Sequence, residues 1–244
     1  MRFYTNVQCV KNKIFLREID GTKRREVKID YSPSLFISGK KDSLYKTLDD
    51  KPLDRVQFGS IAEARDFKEK YKEIDNMKIY GHDQYLYPFI SDEYPSNIEY
   101  DFSKLNICNI DIEVECESGF PEPAEAIERV NAITMKMGGF YVVLGLGDWE
   151  NKDNLPRIKY MKFKDEHSLL RSFLNIWENS KIDIVTGWNV NQFDMTYLVN
   201  RIERLFGEKE VRRLSPWGIF SRIEKMMFGR AQTQVKISGI AIID

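Results

Sequence analysis

A chain of 244 residues, 42% hydrophobic and 13% aromatic, carries enough apolar side chain for a buried core and is neither a disordered nor a collagen-like composition. The charges nearly cancel, 37 Lys and Arg against 38 Asp and Glu, which excludes the overall basic field of a nucleic-acid coat protein. The longest strongly apolar run, residues 140–146, is far shorter than the about 20 residues that span a bilayer, and Met1-Arg2-Phe3-Tyr4 opens no apolar signal core, so a cytoplasmic protein is expected. Cys9, Cys108 and Cys116 form no Cys-x-x-Cys pair, and His82 and His167 stand far apart, which argues against zinc and leaves carboxylates as the donors for any metal.

The first hundred residues read as short strands and one helix, a compact α+β module. Residues 3–7 and 13–16 flank a polar turn, and residues 24–29 alternate polar and apolar as a half-buried strand does. Ser60-Ile61-Ala62-Glu63 has the capping-box pattern, followed by Ile61, Ala64, Phe67 and Tyr71 at helical spacing. Residues 92–97, polar and containing Pro95, read as a linker, so two domains are expected, 1–98 and 99–244.

Beyond the linker, residues 105–114 form an apolar strand whose two-residue period puts Asp111 and Glu113 on one face. Residues 130–137, 139–146 and 157–163 are further strands, expected as an antiparallel meander, joined by Gly138-Gly139 and by the polar loop 147–156. An amphipathic helix over 165–179 turns Leu169, Leu170, Phe173, Leu174 and Trp177 inward, a short strand follows at 182–185, and a second helix runs from about Asp194 to Phe206 with Gly207 behind it. Three strands, then helix, strand and helix, is the order of a ribonuclease-H-like α/β domain. Charge is uneven along the chain. Residues 101–200 hold 10 Lys and Arg against 16 Asp and Glu, and residues 201–244 hold 9 against 5. That is either a solvated surface or an acidic, cation-dependent centre beside a basic segment suited to a polyanion.

Two like charges on neighbouring positions of one strand face repel unless a proton or cation lies between them. Asp111 and Glu113 are therefore either an exposed polar face or a site for Mg²⁺ or Mn²⁺, which take carboxylate oxygens and keep water for a phosphoryl substrate. Asp194 follows 81 residues after Glu113, where strand, loop and helix can return it to the first strand, and three acids are then expected to converge. The same residue also suits a helix N-cap.

Asp111-Ile112-Glu113, then Gly119-Phe120-Pro121-Glu122-Pro123, then Thr186-Gly187-Trp188-Asn189 through Phe193-Asp194, resemble the first two exonuclease motifs of the family B DNA polymerases, in particular those of T-even-like bacteriophages. The resemblance runs through nearly the whole chain, including Pro33-Ser34-Leu35-Phe36, Tyr100-Asp101 and Arg213-Leu214-Ser215-Pro216. It implies a proofreading 3′→5′ exonuclease in which four carboxylates hold two Mg²⁺ or Mn²⁺ ions for in-line hydrolysis of the terminal phosphodiester. Carried over, Asp111, Glu113 and Asp194 are catalytic metal ligands, and Phe120, Asn189 and Phe193 hold the frayed single strand. Core packing is the alternative for either ring.

The fourth carboxylate of the family lies in a downstream Tyr-x-x-x-Asp motif. The Tyr-x-x-x-Asp present here, Tyr71 to Asp75, is in the wrong order and reads as a helix face, while Ile240 stands where Asp244 would need a tyrosine. The palm motifs for nucleotide addition are absent, so a C-terminal polymerase chain is the expected partner, one that also covers the β-prone ending Ile240-Ala241-Ile242-Ile243-Asp244. The resemblance also implies a different role, RNA or DNA binding by the N-terminal domain with an inactive exonuclease remnant, or a scaffold within a split enzyme; Lys23-Arg24-Arg25 and Lys40-Lys41 are its sequence support, with solvated turns as the alternative. Last, residues 224–228 and 233–237 flank Gly229-Arg230-Ala231-Gln232 as a hairpin, with a helical turn as the alternative. The resemblance implies that such a hairpin holds strands apart, with Gly229 and Arg230 at a tip that meets DNA phosphate and primer-template DNA as a further partner.

Overall fold

Alternating apolar residues near the N-terminus build an antiparallel ribbon of β1 (Arg2–Val10), β2 (Lys13–Asp20) and β3 (Lys23–Ile29), in the order β1-β2-β3. The computed structural model describes all residues except Asn76, Ser118, Phe228 and Gly229, and the side chains of Lys225, Met227, Arg230, Ala231 and Gln232 are likewise left aside. A second sheet follows from β4 (Ser34–Ser38), β5 (Tyr45–Lys46), β6 (Pro52–Gln57) and β7 (Ile79–Tyr80), in the order β5-β6-β4-β7.

Between β6 and β7 runs α1 (Ile61–Tyr71), started by Ser60, whose hydroxyl accepts the Glu63 amide at 3.2 Å. Glu63 reaches back to the Gly59 amide at 2.9 Å, one residue earlier than a capping box requires. The helix stops at Tyr71, so Asp75 lies in the turn beyond it and not on a helix face.

The expected linker at 92–97 begins later than its composition suggests. Asp92 and Glu93 end α2 (Leu86–Glu93), because Asp92 accepts the Tyr31 hydroxyl at 2.5 Å and Glu93 pairs with Arg2 at 2.6 Å. The compact units are Met1–Tyr100 and Asp101–Asp244, each with its own apolar cluster, the first around Ile14, Leu16, Leu35, Ile61 and Phe89.

The second unit is mixed α/β. Its sheet contains β8 (Ile107–Val114), β9 (Val130–Met137), β10 (Phe140–Gly145), β11 (Ile158–Lys162), β12 (Ile184–Thr186) and, from the end of the chain, an edge strand Ala241–Ile243, in the order β11-β10-β9-β8-β12-edge strand. β8, β9 and β10 are antiparallel neighbours, but β10 and β11 run parallel, so the meander ends one strand early. Residues 146–157 are about the dozen needed to carry the chain back to the starting edge, whereas a hairpin needs only a few.

Helices α3 (Glu166–Ser180) and α4 (Asp194–Phe206) place Leu169, Leu170, Phe173, Leu174, Trp177, Met195, Leu198 and Ile202 in one cluster with Cys108, Ile110 and Ile112 of β8. Burying each such side chain contributes about 1.5–3 kcal/mol, enough to fix both helices against the sheet. α4 is followed by the short α5 (Glu208–Val211) and by the antiparallel pair β13 (Phe220–Met227) and β14 (Arg230–Ile237). In chain order the edge strand is β15 (Ala241–Ile243). Among the described residues, no helix is long and apolar enough to cross a membrane.

Candidate exonuclease site

β8 alternates without interruption: Cys108, Ile110 and Ile112 are buried, while Asn109, Asp111 and Glu113 are exposed. The two acids thus share the open face of a strand whose other face is locked into the core. β12 pairs with β8 in parallel only from Ile184 to Thr186, opposite Ile107 to Asn109. Beyond that point the chain must turn away while still touching β8. Gly187 makes this possible, since a Cβ there would come within 2.6 Å of the Ile110 carbonyl oxygen. Asn189 then takes a left-handed backbone, φ 56°, which asparagine tolerates better than most residues, and its carbonyl accepts the Gln192 and Phe193 amides at 3.1 and 2.9 Å.

This turn delivers Asp194 to β8. Its Oδ1 accepts the Ile112 amide at 3.0 Å, taking the place of the ladder partner that β12 no longer supplies. Asp194 is 3% exposed and is the first residue of α4, not its N-cap; the cap position is Phe193, and the carboxylate is spent on the neighbouring strand. Burial raises its pKa to about 6 against the help of backbone amides, and the charges of Asp111 and Asp244 push the same way.

Oxygen-only donors of this type suit hard divalent ions. Among the described residues, however, no three His, Cys, Asp or Glu side chains are grouped closely enough to hold an ion. The close meeting expected of Asp111, Glu113 and Asp194 is therefore not formed. One Asp194 oxygen is held by the Ile112 amide, and the charge of Asp111 still reaches its carboxylate.

Residues 60–244 match the family model of the DNA polymerase family B exonuclease domain. The chain belongs to that family. It is 32% identical, over 99% of its length, to the DNA-directed DNA polymerase of Enterobacteria phage T4, and equally so to that of Escherichia phage RB69. It is 28% identical over 59% of its length to the DNA polymerase catalytic subunit of Alcelaphine herpesvirus 1. The chain spans about 30% of the two phage polymerases and 15% of the herpesvirus one, so it corresponds to a fragment of a polymerase.

Of the family's strand-holding candidates, two come together. The Phe120 ring, 76% exposed, lies 5.0 Å from Phe193, which in turn lies 5.7 Å from Tyr197. Phe193 is half-buried against the core, so packing and contact with a ligand are both open to it, whereas Phe120 is free on its outer side. Asn189 is exposed at the turn. Gly229 lies outside the described residues, as does the Arg230 side chain. The hairpin itself is formed, and its register, Met227 opposite Arg230, draws Arg230 to Gln232 into β14, although their polarity suggested a connection.

Two residues at this site were given no role by the motif reading. Trp188 is 94% exposed within the turn, and its signal was an aromatic directly after the glycine that the close approach to β8 demands. Asp244 is the other. It was set aside for lacking a tyrosine four residues earlier, yet its carboxylate accepts the Asn191 amide at 2.9 Å and the Asn191 side-chain Nδ2 at 3.1 Å. The parallel pairing of β15 with β12, Ile243 opposite Thr186, brings it there, and no local pattern announces that pairing.

Proposed function

We propose that the chain contributes the proofreading centre of a family B DNA polymerase, hydrolysing the 3′-terminal phosphodiester of single-stranded DNA within a ribonuclease-H-like domain over 99–244. The observation that carries this reading is the Asp194 carboxylate seated on the amide of Ile112, the residue that stands between the two acids in the sequence of β8. Asp111, Glu113 and Asp194 are the metal-holding residues in this proposal. Mg²⁺ or Mn²⁺, two ions in the complete site, would supply an activated water and neutralise charge on the leaving 3′ oxygen. The protein's own groups do the rest. Phe120 offers a ring face to the terminal base, Phe193 backs that ring, and Asn189 presents its amide from the turn. The apolar wall of Ile110, Ile112 and Met195 beneath the acids excludes water from their inner side.

In this reading the domain 1–98 precedes the nuclease and is a candidate RNA-binding module, the hairpin tip with Gly229 and Arg230 meets the strands of primer-template DNA, and a C-terminal polymerase portion supplies the fourth carboxylate and the palm. The compartment is that of a phage replisome, the host cytoplasm. Digestion of 3′-labelled single-stranded DNA in Mg²⁺ tests it. The chain alone should be nearly inactive, joining it to the polymerase portion should restore digestion, and Asp111→Ala with Glu113→Ala should abolish what is restored. Digestion that survives that double substitution overturns the assignment. Deleting 228–231 in the joined enzyme should slow excision from duplex primer ends and spare single strands, and equal loss on both would make the hairpin a support of the fold.

A further inference from the structure

Residues 121–130 contain no strand or helix before β9 begins at Val130, yet five of their carbonyls are taken by side chains of one helix. From α4, Asn200 donates to the Pro123 oxygen at 2.8 Å, Arg204 to Glu125 at 3.5 Å, Arg201 Nη1 to Ala126 at 3.2 Å and Ile127 at 2.5 Å, and the Tyr197 hydroxyl to Glu128 at 2.8 Å. Positions 197, 200, 201 and 204 share one helix face. Glu166, the first residue of α3, completes the clamp: it takes Arg201 Nε at 2.8 Å and Nη2 at 2.6 Å, and its Oε1 also accepts the Val130 amide at 2.8 Å. Both charged residues are buried.

The clamp also holds strain. Ala126 is fully buried with φ 44°, a left-handed backbone rare for a residue with a Cβ, and it is pinned by its carbonyl bond to Arg201 and its amide bond to Glu122 at 2.9 Å. Tethering alone would not need a strained residue; fixing a direction would. The loop leads directly back to Phe120, and Phe120 rests on Phe193 at the start of the same helix that carries Asp194.

We propose that Arg201, acting with Glu166 through the carbonyls of Ala126 and Ile127, is a positioning residue that sets the exposed Phe120 ring at a fixed place relative to Asp194. One helix thereby registers both the acid and the surface on which a terminal base stacks. The proposal rests on the exonuclease reading for its ligand, single-stranded DNA, but not for the placement of the ring.

The test uses the whole chain with 4-fluorophenylalanine at position 120, and replaces the clamp by Glu166→Met with Arg201→Met, an apolar pair that buried sites accept with little loss of stability. The expected result is a melting temperature lowered by about a few degrees, a broadened fluorine resonance, and amide exchange at Ala126 and Val130 faster by about tenfold or more. Binding of labelled oligothymidylate should weaken about tenfold, as in Phe120→Ala, which loses one stacked base. Combining the clamp variant with Phe120→Ala should add nothing further. Arg201→Lys, which keeps the charge without the planar fork, should fall between, and it carries the same comparison if the Met pair unfolds. An unchanged fluorine line and unchanged exchange, or losses that add to that of Phe120→Ala, overturn the proposal. If the unaltered chain fails to bind oligothymidylate, the nuclease reading falls, while the resonance and exchange still decide whether Arg201 places Phe120.

Discussion

Glu166 and Asp194 occupy the same position on two neighbouring helices, the first residue of α3 and of α4, and both are buried. Each gains from the partial positive charge of a helix N-terminus. Their surroundings are opposite. Glu166 faces the guanidinium of Arg201 and the Val130 amide, so its charge is matched. Asp194 faces the Ile112 amide and the like charges of Asp111 and Asp244, and its pKa climbs to about 6. A matched buried acid holds a loop; an unmatched one costs stability and is tolerated where a cation or proton can be used.

Removing the match should have the largest effect. Arg201→Ala leaves Glu166 buried without its partner and should cost about 3–5 kcal/mol in urea unfolding, whereas replacing both by Met should cost far less. Equal losses would mean that the pair stabilises the fold in its own right.

Removing the mismatch should do the reverse. A carboxyl whose folded pKa is raised keeps its stabilising proton below the unfolded value of about 4 and loses that contribution as pH rises through about 6. Asp194→Asn keeps an acceptor for the Ile112 amide and removes this loss, so it should stabilise the chain by about 1–3 kcal/mol at pH 7.5 and by nothing at pH 3.5. Urea midpoints at the two pH values check it; a gain independent of pH would point to packing instead of charge. The same substitution should also remove any rise in melting temperature that millimolar Mg²⁺ produces in the parent chain.

The backbone on the Asp194 side has little tolerance, because the half-buried Gly187 lies against β8. Gly187→Ala drives a Cβ to 2.6 Å from the Ile110 carbonyl and should cost about 1–3 kcal/mol, while loosening the turn that presents Asp194. On the Glu166 side, Asp165 caps α3 by accepting the Ser168 amide at 2.8 Å, and Asp165→Ala should cost about 1 kcal/mol, read as a shift of a few degrees in melting temperature.

Much of this was legible in the chain because it is local. The alternation of Cys108 to Glu113 assigned two acids to one strand face, and the 3.6-residue spacing of Leu169, Phe173 and Trp177 assigned the buried side of α3. Ser60 announced a helix start by a side chain that satisfies an amide within the next turn, and Asp165, read as the first residue of its helix, is the cap of α3 in the same way. The parallel pairing of β10 and β11 was not legible, since strand patterns record which face is buried and not the direction of the neighbour. Nor was the clamp: Arg201 reads as one charge on an amphipathic helix until Glu166, 35 residues away, is folded against it.

By itself, then, the sequence determined the helices α1, α3 and α4 and the strands β8 to β10, the face on which Asp111 and Glu113 stand, and the motif resemblance that the family comparison supports. These follow from periods of two and 3.6 residues and from short motifs, which are properties of neighbouring residues. Only the tertiary structure decided that Asp194 serves Ile112 and not its own helix end, and that Asp244 reaches the Asn191 turn. Those outcomes depend on where a strand stops pairing and on charges brought together from distant segments, and such long-range energies leave no local pattern to read.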